Sequence, residues 1–308
     1  MPSGIGPDQS LKQVEAGSAD YVPDALPVSA YPTLDANYGA HSAAAQHGRQ
    51  RYFVNATASL RYLVLNTARP LFANAELRRA VNYAIDRPAL VEQQNRFFAA
   101  FNFGAGVATA GYLPPGFPGY RPTSPYPLDG PDLTTAPRLA AGHRGLARLY
   151  TCTESPCPEQ AAVIKTDLAA IGVRVEVDEF PKPVMFAKIH TPSEPYDITT
   201  VGWSTDYPDP SGFINQLLDG ALITTAQNAN LAQFNDPRYN AEMRAAARVA
   251  GAQRYVIYGR LADQLARNAS PLVAYSSDSV RDFFSARIGC QLYQPVYGMD
   301  LANLCLRT

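Results

Sequence analysis

Chemistry-bearing side chains in this 308-residue sequence concentrate in Gly202-Trp203-Ser204-Thr205-Asp206-Tyr207-Pro208-Asp209-Pro210. Trp203 is the only tryptophan, and Asp206 follows it in a W-x-x-D spacing. After a strand, that spacing can set an indole wall and a carboxylate on the same rim. The alternative is that Trp203 is a core aromatic and Asp206 a turn cap ahead of Pro208. Tyr207 and Asp209 sit where Pro208 and Pro210 restrict the backbone, so they either line a cleft or hold a turn. Asn66 and Thr67, ending a predicted strand, are further ligand candidates. Tyr112 and Phe117 read as loop anchors, with ligand-facing aromatics as the alternative.

Bond chemistry finds little support. The sequence has no G-x-S-x-G elbow, no H-E-x-x-H, no Walker A and no complete G-x-G-x-x-G. Gly104-Ala105-Gly106 lacks the third glycine, and Pro208 separates Asp206 from Asp209 as an acid/base pair. The reading is a non-enzyme without a cofactor.

The four cysteines fall into two local pairs, Cys152 with Cys157 and Cys290 with Cys305. An even count at short range suits disulfides in an oxidising compartment, with four unrelated cytosolic thiols as the alternative. Zinc fits poorly, because there is no C-x-x-C and His41, His47, His143 and His190 are scattered. The opening residues have neither a basic nor an apolar leader segment. Either the chain is cytosolic or its natural N-terminus lies upstream.

Composition bounds the class. Lys and Arg total 26 against 27 Asp and Glu, for a net charge of -1, which offers no overall field for nucleic acid or an anionic membrane. Hydrophobic residues make up 46%, enough for a substantial core, yet no run approaches the length of a membrane span.

The elements that position these residues read as α/β. Residues 10–17 end a helix at Gly17, and residues 18–50 look irregular. A strand is predicted around Arg61–Thr67, then a helix capped by Asn74 with Leu77, Val81, Ala84 and Ile85 on one face. Asp86 ahead of Pro88 starts another helix. Residues 104–137 form a long Gly- and Pro-dense excursion. Strand Leu146–Thr151, helix Pro158–Ile171 and strand Val173–Val177, with Gly172 at the turn, make a βαβ unit and hence some parallel sheet. A strand over Tyr196–Trp203, a helical region from Asp236-Pro237 to about Asn268 and a short strand Pro271–Tyr275 complete the reading.

Three stretches in this order resemble one family. They are Tyr62–Thr67 with Leu77–Arg87, then Tyr196-Asp197 through Pro210, then Phe234-Asn235-Asp236 with Ser270–Tyr275. Gly17-Ser18-Ala19-Asp20 is similar to a further signature of the same family. The resemblance, from about Leu11 to the end, is to the family 5 extracellular solute-binding proteins, the peptide, oligopeptide and nickel receptors of ABC importers. It implies a periplasmic-binding-protein-like (type II) lobe with a mixed sheet and flanking helices, plus segments of the second lobe. The expected division is 1–50 as a crossover segment of the first lobe, 51–276 as the second lobe, and 277–308 as the return to the first.

The resemblance also implies function. A bacterial, extracytoplasmic receptor would capture a peptide or similar small polar solute between two lobes and deliver it to an ABC permease. Paired cysteines agree with export. Members are longer, so the chain is expected to be a C-terminal portion, with any signal and lipid anchor lying before Met1. In peptide-binding members the residue matching Asp206 pairs with the ligand's α-ammonium. Some members place an Arg before the corresponding strand for the ligand carboxylate. Here that stretch has no Arg; Lys188 or His190 could substitute as a weaker, non-bidentate partner, although solvent exposure fits both better. Arg78, Arg79 and Arg87 could face the permease, but a solvated helix face or ion pairs within the lobe fit better. The alternatives are an interaction module without a ligand site and, less favoured, a hydrolase.

Overall fold

The structure is a computed structural model that describes residues 6–21, 26–100 and 104–307. Its helices are α1 (Pro7–Glu15), α2 (Tyr31–Tyr38), α3 (Ala43–Gln46), α4 (Ala75–Ala84), α5 (Arg87–Ala100) and α6 (Thr135–Leu139). They continue with α7 (Cys157–Ala169), α8 (Lys182–Ile189), α9 (Ser211–Leu218), α10 (Pro237–Ala247) and α11 (Ala252–Gln264). The main strands are β1 (Tyr52–Ala56), β2 (Ser59–Leu65), β3 (Ala105–Ala108), β4 (Gly145–Cys152), β5 (Val173–Phe180), β6 (Ile198–Ser204) and β7 (Leu272–Phe283).

Two compact units result, one of residues 58–94 with 107–277 and one of 1–57 with 95–106 and 278–308. The expected divisions after residues 50 and 276 compare with 57 and 277 here. Residues 95–106 group with the smaller unit although they fall inside the expected second lobe.

In the larger unit the strands run β7–β2–β6–β4–β5. β2 is antiparallel to both β7 and β6, whereas β4 is parallel to β6 and β5. The sheet is therefore mixed. β4–α7–β5 is the βαβ unit, closed by Gly172 at φ 79°, a left-handed turn that glycine adopts without a Cβ penalty. β5 alternates in and out from Val173 to Glu176, while β6 is buried over Ile198–Val201, as a central strand must be. Leu63, Leu65, Leu77, Val81, Leu149, Ile164 and Ile198 meet in the core between sheet and helices.

Local chemistry explains the element ends. The Asn74 side chain accepts from the amides of Glu76 and Leu77, capping α4, and Asp86 accepts from Ala89 at the start of α5. Asp197, just before β6, accepts the Arg148 amide at 2.9 Å and Arg69 Nε at 3.2 Å. One carboxylate thus pins β6 to β4 and to the loop after β2.

Arg78 and Arg87 are buried, not surface cations for a permease, and among the described residues their hydrogen bonds run to backbone carbonyls and the Asn82 side chain. Arg78 donates to the carbonyls of Ala269, Phe72 and Ala73. Carbonyl clusters at helix ends carry partial negative charge, which lets a guanidinium replace water there.

In the smaller unit β1 is antiparallel to the second half of β7, from Tyr52 opposite Phe283 to Ala56 opposite Ser279. Val14, Leu26, Leu34, Tyr52 and Phe283 form its core. The region expected to be irregular, residues 18–50, instead holds α2 and α3. Pro32 in the first turn of α2 reads as a breaker in sequence but suits a helix start. β7 is also far longer than the expected Pro271–Tyr275. Its polar continuation hides a strand because Ser279 and Asp282 are buried with hydrogen-bond partners.

Both disulfides form as paired in the sequence, Cys152–Cys157 joining the end of β4 to the start of α7, and Cys290–Cys305 closing the C-terminal loop. No described helix is long and apolar enough to cross a membrane.

Candidate functional rim

β6 ends at Ser204, and the chain turns through residues 205–210 into α9. Trp203 is half-buried, and its indole Nε1 donates to the Gly212 carbonyl at 2.8 Å in the first turn of α9. A Cβ on Gly212 would collide with the Thr205 hydroxyl, so only glycine lets the turn close this tightly. Thr205 is buried, donates its hydroxyl to the Tyr207 carbonyl at 3.1 Å, and sends its amide to the Ala58 carbonyl at 3.3 Å. The Asp209 amide also donates to the Tyr207 carbonyl, at 2.8 Å.

The apex of this braced loop carries Asp206 and Tyr207. Asp206 is exposed, and its carboxylate has no hydrogen bond or ion pair among the described residues. Tyr207 is 48% exposed. An unpaired carboxylate beside an exposed phenol and a half-buried indole can take a cationic group and an apolar body together.

Asp209 is different. Its oxygens accept Arg254 Nε at 2.7 Å and Nη2 at 2.8 Å, and the amide and hydroxyl of Ser211 at 2.9 and 2.6 Å. Burial alone would raise this carboxyl, but the bonds from Arg254 and Ser211 outweigh it and hold it below the usual range. Its charge is spent within the protein. Sequence reading missed Arg254 because it lies 45 residues away on α11, and no local pattern announces the pairing.

Other candidates are structural. Asn66 is 1% exposed, donates to the Tyr196 carbonyl and accepts the Ala68 amide. The Thr67 hydroxyl donates to the carbonyls of Ala232 and Gln233. The Tyr112 hydroxyl bonds the Leu272 backbone, and Phe117 packs edge-on against Phe213 at 5.3 Å, so both are loop anchors. Lys188 is not solvent-exposed as expected but ion-paired with Glu194 at 3.1 Å and set 5.2 Å over the Phe180 ring. His190 bonds the Phe186 carbonyl through Nδ1. Among the described residues no group of three or more His, Cys, Asp or Glu is placed to hold a metal ion.

Comparison with known proteins bears on this geometry. Residues 5–224 match the family described as bacterial extracellular solute-binding proteins, family 5 Middle. Heme-binding protein A of Haemophilus influenzae is 27% identical over 258 residues, 78% of this chain and 44% of that protein. The peptide transport periplasmic protein SapA of the same species is 28% identical over 178 residues, 55% of this chain and 30% of that protein. The chain thus spans less than half the length of these curated relatives. The solved structure of HbpA2 from Haemophilus parasuis superposes with a TM-score of 0.78 at 19% identity, covering 98% of this chain and 57% of that one. The periplasmic-binding-protein fold is shared.

Proposed function

Because the chain belongs to the bacterial extracellular solute-binding proteins of family 5, an extracytoplasmic family, we propose that it captures a peptide or similar small polar solute at the Trp203–Asp206–Tyr207 rim. Delivery is to the permease of an ABC importer, with the rim acting inside a longer protein. The observation that carries this reading is Asp206, an exposed carboxylate without an intramolecular partner among the described residues, on a loop where the Thr205 hydroxyl and the Asp209 carboxylate are engaged within the protein. Asp209 serves the rim from within, while Asn66 is a buried structural residue at the other end of β6, bonded to the Tyr196 and Asp197 carbonyls.

The work is recognition and not bond chemistry. When closure of the longer protein removes water from the rim, an ammonium on Asp206 gains strength because a charge-assisted bond is stronger in a lower dielectric. Trp203 and Tyr207 offer flat surface for side chains or backbone of the solute. The relatives' names point to peptide in one case and heme in another, and a cationic end is the chemistry that selects peptide at this rim.

As the sole tryptophan, Trp203 reports on its own site. A titration of the chain with short peptides should shift or quench its emission, and Asp206→Asn should remove the response. A folded chain whose emission ignores peptides, with Asp206→Asn equally silent, would overturn peptide capture.

A further inference from the structure

The bonds that shape the rim loop are mostly internal to it. The Thr205 hydroxyl and the Asp209 amide both end on the Tyr207 carbonyl, and the Asp209 carboxylate also accepts from Ser211, two residues onward. Such bonds give a loop its shape without saying where it stands. Its entry is tied to the sheet by the Thr205 amide on Ala58. Its exit is tied across the fold by the two-point pair of Asp209 with Arg254.

Arg254 is held on its other side as well. Its Nη1 donates to the carbonyls of Ala246 at 3.1 Å and Ala247 at 2.8 Å, in the last turn of α10. A cation is favoured there by the helix dipole. Its guanidinium lies 4.9 Å over the Tyr258 ring, and the Tyr258 hydroxyl donates to Asn215 of α9 at 2.8 Å. The planar fork therefore meets the rim loop and the end of α10, while the ring beneath it reaches α9. A lysine, with one point charge, cannot hold all these partners in one plane. The pair is well enclosed, at 16% and 22% side-chain exposure, unlike a screened surface bridge.

We propose that Arg254 is the positioning residue of the binding rim. Through Asp209 it fixes where the Trp203 indole and the Asp206 carboxylate stand, without touching solute itself. It also cancels one of two carboxylates three residues apart, so that Asp206 alone presents uncompensated charge to the solute. This rests on the reading of the rim as the solute site, but its first test needs no solute.

Emission and acrylamide quenching of Trp203 are measured on the solute-free 308-residue chain and on Arg254→Gln, Asp209→Asn and the double variant. The expected result is a red shift and easier quenching in each single variant. The double variant should be no worse than either, since both substitutions remove one shared interaction. Arg69→Gln is the control, because it removes the Arg69–Asp197 pair at the opposite end of β6 and should leave the signal alone. Unchanged emission and quenching in Arg254→Gln, or an equal change in Arg69→Gln, would overturn the proposal. Should Arg254→Gln fail to fold, Arg254→Lys keeps the charge without the fork and should shift emission part of the way, with no shift overturning the proposal. In a second arm, a mixture of tri- and tetrapeptides should bind Arg254→Gln about tenfold more weakly than the parent, roughly one charge-assisted contact. A parent silent to these peptides contradicts the solute reading, while the solute-free result still decides the role of Arg254.

Discussion

Arg87 grips Asn82 at two points, donating from Nη1 to its carbonyl at 2.8 Å and from Nη2 to its side-chain oxygen at 3.1 Å. Nε meanwhile donates to the Ala274 carbonyl at 2.9 Å in β7. The side chain is fully buried, and burial pulls its pKa down to about 10. The end of α4 is thereby fastened to the strand beside β2, in the same layer that carries β6 and the rim.

Arg87→Met should lower stability by about 2 kcal/mol, because each orphaned buried acceptor costs about 1–3 kcal/mol and loss of a buried charge offsets part of that. Equilibrium urea unfolding checks it. An unchanged midpoint would show that the carbonyls find other donors.

The Asp86 amide donates to the Asp167 carboxylate at 2.9 Å. Burial first, with the nearby Asp86 charge adding, raises Asp167 to about 6 from an ordinary 3.8. Between those values the folded state holds the extra proton, so this group's contribution is full below the lower value and lost as pH rises through the upper one. Asp167→Asn keeps an acceptor for Asp86 and removes the titration. Its melting temperature should exceed the parent's at about pH 7.5 and converge with it near about pH 4. Parallel melting curves across that range would contradict the assignment.

The two disulfides should differ in worth. Cys290–Cys305 spans 15 positions and Cys152–Cys157 spans 5, giving about 3 and about 2 kcal/mol by loop-closure entropy. Paired Cys→Ser replacement should therefore lower the melting temperature more at 290 and 305 than at 152 and 157. Calorimetry on the two double variants decides the order.

The readable parts of the sequence were those where local pattern and tertiary role coincide. Gly172, the alternation of Val173 and Val175, and the Asn74 cap each state their own geometry. The second half of β7 does not, because Ser279 and Asp282 are buried by virtue of partners at Ala105, Tyr21 and Asn55 that no local window contains. The short helices α8 and α9 also went unread. At the rim, the W-x-x-D spacing points to one loop, yet within it Asp206 and Asp209 look alike on paper. Only the fold separates the exposed carboxylate from the one that Arg254 neutralises. Arg78 and Arg87 reverse the lesson, since charged helix residues proved to be buried clamps on backbone carbonyls.

Recognition of a cationic end by Asp206 is tested most directly by titrating Trp203 emission with one peptide in two forms, free and N-acetylated. The free amine should bind and shift the emission, and acetylation should weaken it at least about tenfold by removing the charge that Asp206 meets. Asp206→Asn should erase the difference between the two. Equal binding of both forms to the parent, or a preference that survives Asp206→Asn, would contradict the account.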